Sequence, residues 1–472
     1  MSTPNTHIGA EKIRAIMEGC RGKDVFFLGA GGIMMSSLAL LTKRSGYNTR
    51  GSDRSSSKLT EKLEKAGIEM FYGHSSDNLG ENCGAVIYTV AVSPDNPEYS
   101  CAIARGIPTI SRADYLGYVM TEYKTRVGIA GMHGKSTCTS MCAEIFLDAA
   151  HDFCITDPTI ISGAEYASMD GAYHLGEHDN FIFEACEYMD SFLDFNPTVA
   201  VLLNAEMEHV DYFKSIEQIQ DSFAEYASLV GKSGTVIYNA DDENTVISAS
   251  RVDANKVSFG LHGDTCVSAI NIKCCKFPME FDITVNGEIL THICLRARGI
   301  HNVYNALAAA AAAHVCGINA QEIRRGLEGF KGAKRRMEYK GEVKGAEIYD
   351  DYGHHPTEIS ATLSGVKGSC KKRIVCVFQP HTYSRTAALA DRFANAFECA
   401  DKVILTDIYG AREENESGIS SKIVADMIGD KAVYGGDLDS TAKVLLEEIK
   451  ENDVVVVMGA GDVFKLFAKI GL

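Results

Sequence analysis

The segment Arg126-Val-Gly-Ile-Ala-Gly-Met-His-Gly-Lys-Ser-Thr137 decides the architecture of this 472-residue chain. An apolar strand, Arg126–Ala130, runs into Gly131-Met-His-Gly134, and helical spacing begins at Lys135. Glycines let backbone N–H groups turn toward phosphate oxygens, and a helix N-terminus adds positive partial charge. In that setting Lys135 is placed to reach terminal phosphates and the Ser136 hydroxyl to ligate Mg²⁺. The strict Walker spacing fails, because Ile129 stands where its first glycine belongs. A strand–helix turn without a ligand is the alternative. Gly-Lys-Ser-Thr in this context favours the phosphate loop.

Outward from this segment the same alternation of strand and helix recurs in three stretches, which predicts an α/β protein built on parallel sheets. The first has a strand at Val25–Leu28, a helix near Met34–Arg44, a strand ending at Asp53 and a strand at Ala85–Val90, and it closes near Tyr123. The second opens on Arg126 and adds strands Phe181–Glu184 and Val199–Leu203 and a helix near Ile216–Leu229. Between Val257 and Cys294, short alternating runs and an Asn286-Gly287 turn predict antiparallel hairpins before a helix near Val303–Val315. The third reads strand Ala346–Asp350, helix Thr357–Val366, strand Ile374–Phe378, helix Ala387–Phe397 and strands Lys402–Thr406 and Asp453–Met458. At roughly 150 residues per domain this predicts three domains, 1–122, 123–332 and 333–472.

Charge narrows the function. Lys+Arg 46 against Asp+Glu 63 leaves a net charge of −17, which argues against sequence-independent nucleic-acid binding and against adhesion to anionic membranes. No apolar run approaches the ~20 residues a bilayer span needs, and the first residues lack an apolar signal core. A soluble cytoplasmic protein is expected. The fifteen cysteines are scattered, with one adjacent pair, Cys274-Cys275, and no Cys-x-x-Cys spacing. Reduced thiols are the expectation, not a disulfide framework or a zinc site.

Further polar clusters follow the strands. Gly29-Ala30-Gly31-Gly32 would admit a pyrophosphate, but Met34 in place of the last glycine breaks the dinucleotide fingerprint and counts against a nicotinamide dehydrogenase. Asp53 is placed to meet a ribose or base, or to cap a helix. Glu184 ends a strand, with Glu187 just beyond it. Acids at a strand end beside a phosphate loop are where Mg²⁺ ligands lie. His209 is a second candidate ligand, with a structural role as its alternative. Asp350–Pro356 and Gln379–Thr386 follow successive strands of the third stretch and predict a binding crevice. Arg335-Arg336 would stabilise phosphate charge.

Taken in order, GMHGKST, EACE, NAEMEH, RGIHNVYN, GAKRR, DDYGHHPTE, FQPHTYSRT and MGAGD make the chain resemble the Mur ligases, nearest the branch that joins L-alanine to UDP-N-acetylmuramate. The resemblance implies three domains. The first is a Rossmann-like domain for the UDP-sugar, and the second is a central P-loop ATPase domain with a small antiparallel portion. The third is a C-terminal Rossmann-like domain that binds the amino acid and closes on ATP. It places Gly29, Ala30, Gly31, Gly32, Met35, Ser36 and Asp53 on the UDP-sugar. It places Gly131, Met132, His133, Gly134, Lys135, Ser136 and Thr137 on the ATP phosphates. Ser136, Glu184 and His209 would serve Mg²⁺, while His301, Asn302 and Asn305 would meet the adenine side. Arg336 would reach the phosphates, Asp351 would lie near the nucleotide, and Tyr352, His354 and Arg385 would hold L-alanine. Three departures stand out: Met132 for a Thr or Ser, Cys186 for the Asp of EADE, and Thr382 for an Arg near the amino-acid carboxylate. Phe223 lies near the place of the modified lysine of other Mur ligases, which fits the alanine-adding branch.

The implied reaction belongs to peptidoglycan precursor synthesis. ATP phosphorylates the lactoyl carboxylate, L-alanine's amine attacks the acyl phosphate, and Lys135, Glu184, His209, Arg336 and His354 are the expected catalytic set. Either His209 or His354 would take the amine proton. The expected partners are UDP-N-acetylmuramate, L-alanine and ATP, in a monomer or homodimer, without nucleic acid or membrane insertion. Two alternatives remain: a recycling ligase that takes a preformed tripeptide, and a UDP-sugar-binding protein without catalysis.

Overall fold

The computed structural model describes residues 7–152, 154–166, 169, 171–209, 212–273, 278–332, 334–369, 371–411, 413–415 and 418–472. The Cys274-Cys275 pair and the first six residues lie outside these. The chain divides into two compact units, Met1–Cys266 with Ala308–Gly326, and Val267–Leu307 with Leu327–Leu472.

In the first unit, β1 (Asp24–Leu28), β2 (Asn48–Asp53), β3 (Glu69–Tyr72), β4 (Cys83–Tyr88) and β5 (Thr109–Ser111) form a sheet in the order β3-β2-β1-β4-β5. Every pair is parallel. Val25 to Leu28 are fully buried, as a strand covered on both faces must be. The chain leaves β1 to one side and returns beside it at β4, so the loop Gly29–Gly32 opens at the point where strand order reverses. That is where doubly wound sheets bind ligands.

The same unit holds β6 (Thr125–Ala130), β7 (Thr159–Tyr166), β8 (Gly171–His174), β9 (Asn180–Glu184), β10 (Val199–Leu202), β11 (Thr235–Asn239) and β12 (Asn255–Gly260), in the order β12-β11-β10-β6-β9-β7-β8. Only β7 and β8 pair antiparallel. Strand β6 lies between β10 and β9, parallel to both. Three loops therefore emerge side by side at one edge: Gly131–Gly134, the turn after Glu184, and Asn204–His209. One apolar cluster runs from Ile13 and Phe27 through Leu116 to Phe181, Phe223 and Val252, so the two sheets share a core.

In the second unit, β13 (Val267–Lys273), β14 (Met279–Val285) and β15 (Glu288–Leu295) pair antiparallel. Strands β16 (Glu338–Val343), β17 (Ala346–Asp351), β18 (Ile374–Phe378), β19 (Lys402–Thr406), β20 (Ala432–Gly436) and β21 (Val454–Met458) form a sheet in the order β16-β17-β21-β18-β19-β20. All its pairs are parallel except β16 with β17. Ile359, Phe378 and Phe393 cover one face, and Ile348, Val377 and Phe467 the other.

Two expectations change. The antiparallel pattern begins at β13, not near Val257, because β12 pairs parallel with β11 after the crossover helix Glu243–Ser250. The expected helix Ala387–Phe397 is two, Tyr383–Ala388 and Ala390–Ala396. Leu389, at φ −113°, breaks the helical course and turns Phe393 and Ala396 into the core. Among the described residues, no helix is long and apolar enough to cross a membrane.

Candidate active site

The phosphate loop is fixed from two sides. Gly134 caps the helix Lys135–His151 at φ 83°, a left-handed conformation that costs glycine nothing. From the loop after β10, Asn204 Oδ1 accepts the His133 N–H at 2.8 Å and Nδ2 donates to the His133 carbonyl at 2.9 Å. The Asn204 carbonyl accepts the Met132 N–H at 3.2 Å. Met132 itself is buried, so the loss of a hydroxyl there leaves the backbone held. His133 Nε2 lies 2.7 Å from Glu206 Oε1.

Lys135 begins the helix and turns its Nζ back to the Gly131 carbonyl at 2.5 Å and the Met132 carbonyl at 3.1 Å. The same Nζ lies 2.9 Å from Glu187 Oε2, and Glu187 Oε1 lies 3.1 Å from His209 Nε2. Glu187 is only 1% exposed. Burial works against both charges of the pair. Glu187, joined by Cys186 and Glu184, outweighs it and holds the Lys135 ammonium above its usual pKa, while Lys135 and His209 hold the Glu187 carboxyl below the usual range. His209 stands at φ 51° with the Tyr188 ring 4.9 Å away. Ser136 is buried one residue into the helix, and Thr137 is half-buried beside it.

Glu184 does not join this cluster. Its carboxylate accepts the Gly163 N–H at 3.0 Å from the neighbouring β7. Glu187 takes the position beside Lys135 and His209. The sequence signal was the second acid of Glu184-Ala-Cys-Glu187, which becomes decisive only once the strand is known to end at Glu184. A buried carboxylate and a buried hydroxyl offer oxygen donors, which suit a hard divalent cation. Ser136, Glu187 and His209 are the residues here that fit Mg²⁺.

At the end of β1, the Gly29 and Ala30 N–H groups donate to the Ser52 carbonyl, and the Gly31 N–H donates to Asp53 Oδ2 at 2.8 Å. Asp53 thus braces the glycine loop. It is no helix cap, since Ser57 caps Lys58–Lys65. Gly32 caps Ile33–Arg44. Met35 is buried in the core, and the Ser36 hydroxyl donates to the Ile33 carbonyl at 2.9 Å.

The second unit gathers another set at the ends of β17 and β18. Arg335 and Arg336 lie over the Tyr352 ring at 5.0 and 5.4 Å. Arg336 meets Glu358 at 3.5 Å, and Glu358 also lies 3.4 Å from His354 Nδ1. Asp351 accepts the Met337 and Gly353 N–H groups at 3.0 and 2.8 Å. Burial pushes its carboxyl up to about 6, with Arg336 pulling the other way. His354 faces His381 with ring centres 6.0 Å apart, and His381 Nδ1 lies 3.4 Å from Arg385. Burial, then the charges of His354 and Arg385, bring His381 down to about 4. His381 lies in the run Gln379–Thr386 expected to line a crevice, but no role of its own is legible in the sequence, because one histidine in a polar run carries no separate signal. His301 is brought down to about 4 by burial and Arg336. Asn302 Nδ2 lies 3.1 Å from His301 Nε2, and Asn305 Nδ2 donates to Asn302 Oδ1 at 3.1 Å.

Three family models match in sequence order: the Mur ligase family catalytic domain over 24–124, the Mur ligase middle domain over 129–313, and the Mur ligase glutamate ligase domain over 335–461. The chain belongs to the Mur ligase family. It has that family's three-domain α/β fold, with parallel sheets and some antiparallel strands. It is 42% identical over 457 residues to the UDP-N-acetylmuramate–L-alanine ligase of Acetivibrio thermocellus, covering 96% of each chain. It is 42% identical over 448 residues to the enzyme of the same name from Clostridium novyi, covering 94% of this chain and 96% of that one. The crystal structure of the UDP-N-acetylmuramate–alanine ligase of Thermotoga maritima matches with a TM-score of 0.77 at 28% identity, over 95% of this chain and 98% of that one. A murein peptide ligase from Psychrobacter arcticus shares the fold, with a TM-score of 0.71 at 24% identity.

Proposed function

We propose that this Mur ligase is a cytoplasmic enzyme that joins L-alanine to the lactoyl carboxylate of UDP-N-acetylmuramate, with ATP activating that carboxylate. The observation that carries the reading is the Lys135–Glu187–His209 cluster, built against a phosphate loop whose backbone Asn204 clamps. Relatives at about 42% identity along almost the whole chain, each named for this reaction, support it.

A carboxylate is a poor electrophile, so amide formation needs an activated acyl group. In our reading the loop Gly131–Thr137 binds the ATP phosphates, and Lys135 neutralises charge on the phosphoryl group as it moves. Bound at Ser136, Glu187 and His209, Mg²⁺ would supply further charge neutralisation for the phosphates. The loop Gly29–Gly32, braced by Asp53, receives the diphosphate of the UDP-sugar. His301, Asn302 and Asn305 serve the adenine side, with Asp351 near the nucleotide and Arg336 on the phosphates. Tyr352, His354 and Arg385 hold L-alanine. His354 is the group we assign to the amine proton, because its ring stands beside Tyr352 and His381 in the cluster assigned to the amino acid. The boundaries near residues 122 and 332 belong to the same reading.

Phosphate release from ATP tests the proposal. Release that requires both UDP-N-acetylmuramate and L-alanine, and that tracks UDP-N-acetylmuramoyl-L-alanine, supports it. Release with L-Ala-γ-D-Glu-diaminopimelate but not with L-alanine would place the chain among recycling ligases. No release with either would leave only a UDP-sugar-binding role.

A further inference from the structure

Arg112 is the first residue of the helix Arg112–Met120, directly after β5. It therefore stands at the same sheet edge as the Gly29–Gly32 loop, two strands away. Its guanidinium is half-buried, and among the described residues it forms no hydrogen bond and no ion pair. Burial lowers its pKa and Cys186 acts in the opposite direction, yet arginine stays charged at neutral pH. A desolvated cation without a partner is costly unless a ligand supplies the anion.

Its surroundings show where that anion comes from. Cys186, the residue before Glu187, lies within electrostatic reach of both Lys135 and Arg112. Lys135 is engaged by Glu187, and Arg112 is not engaged. The helix is also locked to the segment after Glu187. A methyl group on Gly117 would overlap the Asp194 carbonyl, and Asn196 Nδ2 donates to the Gly117 carbonyl at 3.0 Å. Ser111 caps the helix start through the Asp114 N–H. The placement of Arg112 is fixed by packing on the loop that carries Glu187.

We propose that Arg112 binds the lactoyl carboxylate of the sugar nucleotide and holds it toward the phosphate loop. The inference rests on the ligase reading above. Two anions, the carboxylate and the terminal phosphate, must approach to about 3–3.5 Å before phosphoryl transfer. Lys135 serves the phosphate side. A planar guanidinium receives a carboxylate through two parallel N–H bonds, which also aims one oxygen at phosphorus. As the carboxylate oxygen bonds to phosphorus, the bond from phosphorus to the ADP oxygen breaks and ADP leaves.

UDP-N-acetylglucosamine carries the same uridine diphosphate without the lactoyl carboxylate, and it separates the two halves of the substrate. Calorimetric binding of both sugar nucleotides to wild type, Arg112→Gln and Arg112→Lys tests the proposal, together with steady-state kinetics. Wild type should prefer UDP-N-acetylmuramate. In Arg112→Gln its Kd should rise by at least about tenfold and kcat should fall, while the Kd of UDP-N-acetylglucosamine and the KM of ATP stay unchanged. Arg112→Lys, which keeps charge without the fork, should fall between. Equal weakening of both sugar nucleotides in a folded variant would assign Arg112 to the diphosphate or to structure, and overturn the inference. So would undiminished UDP-N-acetylmuramate affinity, or a wild type that does not discriminate. Wild type that binds UDP-N-acetylmuramate selectively but never turns over would instead sink the ligase reading.

Discussion

The two polar clusters of this chain are built at strand ends from different bases. In the first unit, Lys135, Glu187 and His209 form a compact ion pair with a histidine on its flank, and the acid is almost wholly buried. In the second unit, Arg335, Arg336, His354, His381 and Arg385 gather around Tyr352, with Asp350 3.3 Å from Arg335 and Glu358 3.5 Å from Arg336. The first cluster is internally neutralised, as suits a site that must admit both phosphates and a cation without storing net charge. The second pairs its arginines with acids, Arg335 with Asp350 and Arg336 with Glu358, and adds two facing histidines. The same strand-end geometry builds both. The loops differ in the base they carry, a lysine in the first and arginines in the second.

Removing the base of the neutralised cluster should have the largest effect. Lys135→Ala leaves Glu187 buried without its counter-ion and the phosphates without their cation. We expect kcat to fall by on the order of 10³-fold or more, with UDP-sugar binding preserved in a titration. Full activity would overturn the assignment of this loop to ATP.

Next comes a direct contest between the two acids of Glu184-Ala-Cys-Glu187. Glu187→Gln should lower kcat by about 10²-fold, and Glu184→Gln, whose amide oxygen can still accept the Gly163 N–H, by less than about tenfold. Parallel rate assays decide it, and the reverse ranking would return the catalytic acid to the strand end. The pair also has a pH signature. Glu187's folded pKa is depressed, so its stabilisation is present above its unfolded value near 4.5 and is lost as pH falls through the folded value. Lys135's is raised, so its stabilisation is present below about 10.5 and is lost as pH climbs past it.

This contest marks the limit of what the sequence could tell. The phosphate loop was legible because its signals are local: apolar β6, two glycines and a helix that starts at once. The parallel sheets were legible for the same reason. Glu187 was not, because the choice between two acids three residues apart depends on which strand neighbours β9 and which loop returns to the edge. Met189 and Asp190, both at φ 53°, carry the chain away from Glu187 in a conformation that no periodicity announces. Arg112 is plainer still. A lone arginine after a three-residue strand gives no signal until packing shows that none of the described residues pairs with it.

The second cluster is tested through the amino acid. Arg385→Ala should raise the KM for L-alanine by about 10- to 100-fold, the worth of a charged hydrogen bond, and leave the KM for ATP unchanged. Initial rates at varied L-alanine measure it. A rise in both constants would mean that Arg385 shapes the whole unit and not one subsite. Because Thr382 stands where a second arginine is expected, the loss at Arg385 has no neighbouring arginine in this run to soften it.

The smallest expected effect lies at Asp351, beside the second cluster. Asp351 ties the turn at Met337 to Gly353 through two backbone N–H groups, and burial raises its carboxyl to about 6. A raised folded pKa means that the native state holds this proton more tightly than the unfolded chain, where the group titrates near 3.9. The proton's contribution to stability is therefore complete below pH 4, declines as pH rises to 6, and is gone above it. Asp351→Asn removes the titration but keeps an oxygen for one of the two N–H groups. The stability of wild type relative to the variant should therefore fall by about 1 kcal/mol per pH unit between pH 4 and 6. In a chain of this size that is a relative shift in Tm on the order of 1–2 °C per pH unit, readable by calorimetry at matched ionic strength. A difference that grew with pH would mean that Arg336, not burial, governs this carboxylate.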